Sequence, residues 1–295
     1  MTFRPDAKLD SGKVSRRGRT AAIGGGGAVV VIGLVLLSQL VGVDLTGFAG
    51  LLGGDQGSSQ SQNEQALDCD TGADANSNTD CLVVGAANSL DAYWPGAASA
   101  LGVSYTSPRD VVLFEQQTST GCGQASSAVG PFYCPPDQTI YLDTSFFGEL
   151  RDRFGASGGS LSQMYVIAHE WGHHIQQLSG TLDRIDHSAT GPGSDAVRSE
   201  LQADCYAGTW VKSASTTPDA NGTPFLEPVT DEQIADALNA ASVIGDDRIQ
   251  QGSTGQVNPE SWTHGSSESR QKWFGVGLAS GPAACDTFSI DASQL

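Results

Sequence analysis

His169, Glu170 and His173 stand together in SLSQMYVIAHEWGHHIQQLSG, residues 160–180, and their types and spacing suit metal-assisted hydrolysis. On a helix, side chains four residues apart lie one above the other on one face, so both imidazoles can reach a single ion. Glu170 is rotated by about 100° from His169, poor for ligation but suited to holding a water at that ion as a base. A catalytic zinc takes three protein ligands and keeps a further position open. The third candidate is Glu200, in Ser199-Glu200-Leu201-Gln202-Ala203-Asp204. Glu200 and Asp204 again share a face, so with Glu200 on the metal, Asp204 could accept the second ring N–H of a ligand histidine and fix its tautomer. Amide hydrolysis also needs a donor for the oxyanion, and His264 is the candidate. Tyr141, Tyr165 and Tyr206 are further phenolic candidates that the sequence does not rank. His174 points away from the ligand face and is expected to be a hydrogen bonder; His187 is expected to be solvated in a loop.

Periodicity gives the elements that must position these groups. Leu161, Met164, Tyr165, Ala168, Trp171, Gly172, Ile175 and Leu178 recur at helical spacing, with Ser160 and Gln163 as an expected capping box and Gly180 as a stop. A second helix is expected over 194–213, buried along Val197, Leu201, Cys205 and Gly208, with Gly208 admitting a close neighbour. Thr230 and Gln233 form another capping box opening a helix to about 247, and a last helix follows His264 to about 280. Upstream, 81–101 reads as a helix interrupted by Pro95, 110–115 as a buried strand, and 118–130 as a loop. Residues 132–134 and 139–142 read as short strands around Pro135-Pro136, placed at a sheet edge by the prolines, where 139–142 could pair with an extended peptide. There is no internal repeat. The expected class is α+β, mostly helical with a small sheet.

A chain of 295 residues with 39% hydrophobic content can bury a sizeable core in one large domain or two small ones. The net charge of −18 is uneven, because residues 1–20 carry Arg4, Lys8, Lys13, Arg16, Arg17 and Arg19 against only Asp6 and Asp10. The remainder is therefore strongly acidic, which argues against nucleic acid as a partner. Residues 21–43 are uncharged and long enough to cross a bilayer as a helix. The basic flank before them predicts a cytoplasmic tail over 1–20, a transmembrane signal anchor over 21–43 and an extracytoplasmic remainder. No small-x-small cleavage site follows, which argues against a cleaved signal peptide. Residues 44–66, rich in Gly, Ser and Gln, read as a flexible linker, and 67–295 as the globular domain. All six cysteines lie beyond the apolar run, and an even number in an exported domain suggests disulfides. Proximity favours Cys69–Cys81 and Cys122–Cys134, leaving Cys205–Cys285 to close a long loop.

Several stretches together resemble a known family: GVD (42–44), TGCG (120–123), PFYCPPDQTIYLD (131–143), AHEWGHHIQ (168–176), SELQADCYAG (199–208), LNAASVIGDDRIQ (238–250) and THGSSESRQKWF (263–274). The chain is similar to the bacterial neutral zinc metallopeptidases with an N-terminal membrane anchor, a group of zincin type with a glutamate third ligand. The resemblance implies a zincin-like fold and one zinc held by His169, His173 and Glu200, with Glu170 as base and Asp204 behind a ligand. It implies hydrolysis of peptide bonds outside the cytoplasm, with a peptide or protein as substrate and the membrane as the other partner. Two rival readings share these residues, a catalytically silent zinc-binding scaffold and a zinc hydrolase of non-peptide amides or esters. The intact Glu170 speaks against the first.

Overall fold

The structure is a computed structural model that describes residues 2–17, 64–65 and 67–295. The apolar run 21–43 and nearly all of the expected linker lie outside these residues; within them, no helix is long and apolar enough to cross a membrane.

Helices outweigh strands, as an α+β reading requires. The strands are β1 (Val14–Arg17), β2 (Glu64–Gln65), β3 (Asp110–Phe114), β4 (Gln117–Thr120), β5 (Gly123–Ser126), β6 (Phe132–Cys134) and β7 (Thr139–Asp143). The helices are α1 (Gly72–Ser77), α2 (Thr79–Ala100), α3 (Phe146–Asp152), α4 (Ser160–Leu178), α5 (Asp195–Ser213), α6 (Asp231–Val243), α7 (Asp246–Thr254) and α8 (Ser267–Ser280). One sheet runs β2-β1-β3-β7-β6, with β1, β3 and β7 parallel and β2 and β6 antiparallel at the edges. Strand alternation splits β3 between two layers. Val111 and Leu113 join the main helical core, while Val112 and Phe114 pack with Cys134 and Tyr141 on the opposite face. Burial on both faces is why this segment reads as an unbroken apolar run.

Several sequence expectations need correction. Pro95 lies inside α2 without ending it; the residue is exposed, so water can serve the carbonyl its ring leaves unpaired. The loop expected at 118–130 contains the hairpin β4–β5, turning at Gly121-Cys122. β7 is interior, flanked by β3 and β6, so the edge strand is β6 and not 139–142. The N-cap of α4 is Gly159 and makes no side-chain cap bond, so Ser160 and Gln163 form no capping box. Gly180 does stop the helix: at φ +69° its N–H donates to Gln177 O at 3.0 Å, while Thr181 N donates to Gln176 O at 2.8 Å. The helix expected to run to 247 breaks at Ile244-Gly245, and a new one starts at Asp246.

All six cysteines pair as proximity favours: Cys69–Cys81, Cys122–Cys134 and Cys205–Cys285. Residues 2–17 are not a detached tail. Phe3 (1% exposed), Ala7 (0%) and Val14 (3%) are core residues, and β1 fills the sheet between β2 and β3.

Candidate metal centre

The site forms where α4 and α5 cross. Gly172 permits the approach, since a Cβ there would lie 2.9 Å from Ala203 Cα. The contact sets the histidine face of α4 against the Glu200–Asp204 face of α5. On the other side of α5 a second close contact brings in α8: a Cβ at Gly208 would sit 2.1 Å from Phe274 O, and one at Gly277 1.9 Å from Cys205 O.

His169 and His173 face each other edge to face with ring centroids 4.8 Å apart. The Glu200 carboxylate spans both, with Oε2 3.0 Å from His169 Nε2 and Oε1 3.5 Å from His173 Nε2. Ligand atoms of His169, His173 and Glu200 all lie within 4.8 Å of one another, and this is the group that could hold a metal ion among the described residues. Hydrogen bonds on the far side of each ring decide which nitrogen faces the centre. His169 Nδ1 donates to Asp204 Oδ1 at 2.8 Å. His173 Nδ1 donates to Gln176 Oε1 at 2.8 Å, and that amide is oriented by its own donation to Ser199 O at 2.7 Å and to Gln202 Oε1 at 3.1 Å. Both Nε2 lone pairs therefore point at a carboxylate. Two imidazole nitrogens and a carboxylate converging on one spot can be bridged by a proton or by a metal ion, and they match the donor set of a two-histidine, one-carboxylate zinc site.

The electrostatics say the same. Burial alone would lower the His169 pKa, but Asp204 and Glu200 outweigh it and push it up to about 10, so the bare cluster retains a proton. Burial would raise Glu200, yet the surrounding His173, His264 and His169 hold it well below the ordinary carboxylate value. Glu170 behaves differently. Burial raises its pKa, His169 and His173 oppose, and nearby Glu200 raises it further, with a main-chain hydrogen bond from Tyr133 lowering it. It lies beside the candidate metal-holding group and is 7% exposed, on the wall of the cleft.

That cleft has a volume of about 350 Å³, within the range of ligand pockets. His169, Glu170, His173, Glu200 and His264 line its polar side, and Phe132, Phe146, Phe154, Leu182, Ile185 and Ile249 contribute apolar walls. His264 is held from behind: Asp246 Oδ2 accepts the backbone N–H of Thr263 at 2.8 Å, His264 at 2.7 Å and Gly265 at 2.9 Å. Its Nδ1 lies 2.8 Å from Thr263 Oγ1 and 3.6 Å from Asp246 Oδ1. Burial would lower the His264 pKa, but Glu200 and Asp246 raise it overall.

The other candidates fall away from the centre. Tyr141 donates to Asp137 Oδ2 at 2.7 Å, and Tyr206 packs edge-on against Trp94 in the core with centroids 5.4 Å apart. His174 is fully buried between Tyr133 Oη at 3.0 Å and Thr106 O at 2.7 Å, tying α4 to β6. His187 is exposed at the cleft rim. Tyr165, by contrast, stays at the centre, donating to Asp204 Oδ1 beside His169.

Arg270 is the residue that sequence reasoning missed. It is 2% exposed and bidentate to Asp204, Nε to Oδ2 at 2.8 Å and Nη2 to Oδ1 at 3.0 Å. Its Nη1 reaches Ile244 O at 3.3 Å, across the break between α6 and α7. A buried guanidinium leaves no periodic signature. The available signal was a cation in the first turn of a helix, where the helix dipole disfavours positive charge.

Fold and site together define a metal-binding α+β domain carrying the helix-borne HExxH arrangement of metallopeptidases. The chain belongs to the family described as "Putative neutral zinc metallopeptidase", which matches residues 5–288. It is 55% identical over 223 residues to the uncharacterized protein Rv2575 of Mycobacterium tuberculosis, covering 75% of this chain and 74% of that one. It is 39% identical over 270 residues to the uncharacterized protein YpfJ of Escherichia coli K12, covering 90% and 87% respectively. No solved structure matches the chain.

Proposed function

We propose that this protein is a zinc peptidase acting outside the cytoplasm, with His169, His173 and Glu200 as ligands, Glu170 as general base and His264 as oxyanion donor. The carrying observation is the convergence of two imidazole Nε2 atoms, each fixed from behind by Asp204 or Gln176, on the buried Glu200 carboxylate. Zinc held there would supply Lewis acidity toward the scissile carbonyl and toward water. Glu170 takes the proton of the attacking water and passes it to the departing amine. Its raised pKa makes it a stronger base toward that water than a free carboxylate. His264, protonated more readily than a free imidazole and buttressed by Asp246, donates to the oxyanion. The zincin-like assignment rests on the same helix-borne motif.

The substrate follows from the cleft walls. The edge strand β6 contributes Phe132 and Tyr133 to the cleft, so an extended peptide can add to it by main-chain hydrogen bonds. The apolar wall suits bulky apolar side chains on that peptide. The three disulfides support an oxidising compartment, and the uncharged run 21–43 supports membrane attachment.

The test is zinc content and casein cleavage of the full chain beside Glu170→Gln. About one zinc in both, with cleavage by the unmodified chain alone, is the expected result. A folded protein that takes up no zinc overturns the reading, and cleavage retained in Glu170→Gln removes the base assignment.

A further inference from the structure

We infer that residues 2–17 lie on the same, extracytoplasmic side of the membrane as residues 67–295. The segment is built into the oxidised domain. Gly72 N donates to Ala7 O at 2.9 Å and Leu9 N to Asp70 O at 2.9 Å, so residues 7–9 hydrogen-bond directly to the loop closed by Cys69–Cys81. Phe3 N donates to Asn76 Oδ1 and Asn76 Nδ2 donates back to Phe3 O, both at 2.8 Å. The Phe3 ring fills the space above Gly85, where a Cβ would lie 2.6 Å from it. Val14, Ser15 and Arg16 pair in parallel with Val111, Val112 and Leu113.

The chain also leaves and re-enters at one place, because Arg17 pairs with Glu64 and Arg16 with Gln65 across an antiparallel ladder. A chain whose two exits are hydrogen-bonded neighbours can return there only from the same face of a bilayer. A lone crossing would put β1 and β3 in different compartments and break the sheet.

The basic character of the N-terminus, which suggested a cytoplasmic tail, has another account in the fold. Lys13 pairs with Asp91, Arg16 with both Asp80 and Glu115, and Arg4 approaches Glu227 at 3.9 Å. These cations complement an acidic domain, so their position need not report membrane orientation.

The disulfides make a clean test, since all six native cysteines are paired and silent toward maleimide. Asp6, whose side chain is 70% exposed, is replaced by cysteine in the full chain, with Glu232→Cys on the exposed face of α6 as reference. Each variant is expressed in a Gram-negative host, and spheroplasts are treated with a membrane-impermeant maleimide before and after lysis. Mass spectrometry without reductant checks that the three native disulfides persist. The expected result is labelling of both variants before lysis to within about twofold. Labelling of Glu232→Cys with Asp6→Cys silent until lysis overturns the inference in favour of a single crossing. Silence of both until lysis overturns the shared extracytoplasmic placement.

Discussion

Replacing Phe3 by alanine should destabilise a domain that begins, by sequence pattern, more than sixty residues later. Phe3 is 1% exposed, packs on Gly85 of α2 and bridges antiparallel to Leu226, so it joins the first residues of the chain to two distant segments. Truncating a buried phenylalanine costs about 3–5 kcal/mol, from lost transfer energy and the cavity left behind. Against a total stability of roughly 5–15 kcal/mol this is a large fraction. For a domain of this size each kcal/mol moves Tm by about 2–4 °C, so a fall of roughly 6–20 °C is expected. The assay is urea and thermal unfolding of the full chain with disulfides intact, followed by fluorescence of the fully buried Trp94, Trp171 and Trp210. Asp6→Ala, an exposed change in the same segment, should stay within about 0.5 kcal/mol. If Phe3→Ala also falls within that range, residues 2–17 do not belong to the folded core, and the placement of β1 is wrong. A fragment starting at 67 would, by the same reasoning, expose the β3 edge and aggregate.

Arg270→Met should weaken zinc binding about 10–100-fold, measured by chelator competition, because Asp204 loses the clamp that holds Oδ1 toward His169. In an Asp204→Asn background the same substitution should change affinity little; equal effects in both backgrounds would show that Arg270 acts elsewhere. The profile of kcat/KM against pH should be a bell. Glu170 must be unprotonated and its pKa is raised from 4.5, so activity is lost as pH falls through a value above the ordinary glutamate range. His264 must be protonated and its pKa is raised from 6.5, so activity is lost as pH rises through a value above the ordinary histidine range. His264→Gln should keep the acid limb and lose the alkaline one, and an unchanged alkaline limb would remove His264 from that role. Peptide libraries should show selection for bulky apolar residues beside the cut; a preference for charged residues would contradict the apolar wall formed by Phe146, Phe154 and Ile185.

What the sequence made legible, and what it hid, divides along the range of the interactions. His169, Glu170 and His173 follow from one helical turn, and Glu200 with Asp204 from another, since a periodicity of 3.6 places each pair without knowledge of the fold. Short-loop cysteine pairs are equally local. Arg270 is not local: its partner Asp204 is 66 residues away, and only the Gly208–Gly277 contact brings the two helices close enough. The hairpin β4–β5 escaped because Gln117–Thr120 and Gly123–Ser126 carry small polar residues with little alternation to read. The N-terminal segment is the sharpest case. Basic residues before an uncharged run satisfy the rule for a membrane-anchored tail, and the same residues satisfy the acidic side chains of α2 and of the turn after β3. Charge counting along the chain cannot separate these two uses, because both need only cations near the N-terminus. What separates them is the unpaired side of β3: Val111 to Leu113 need a strand beside them, and Val14 to Arg16 is the strand that supplies it.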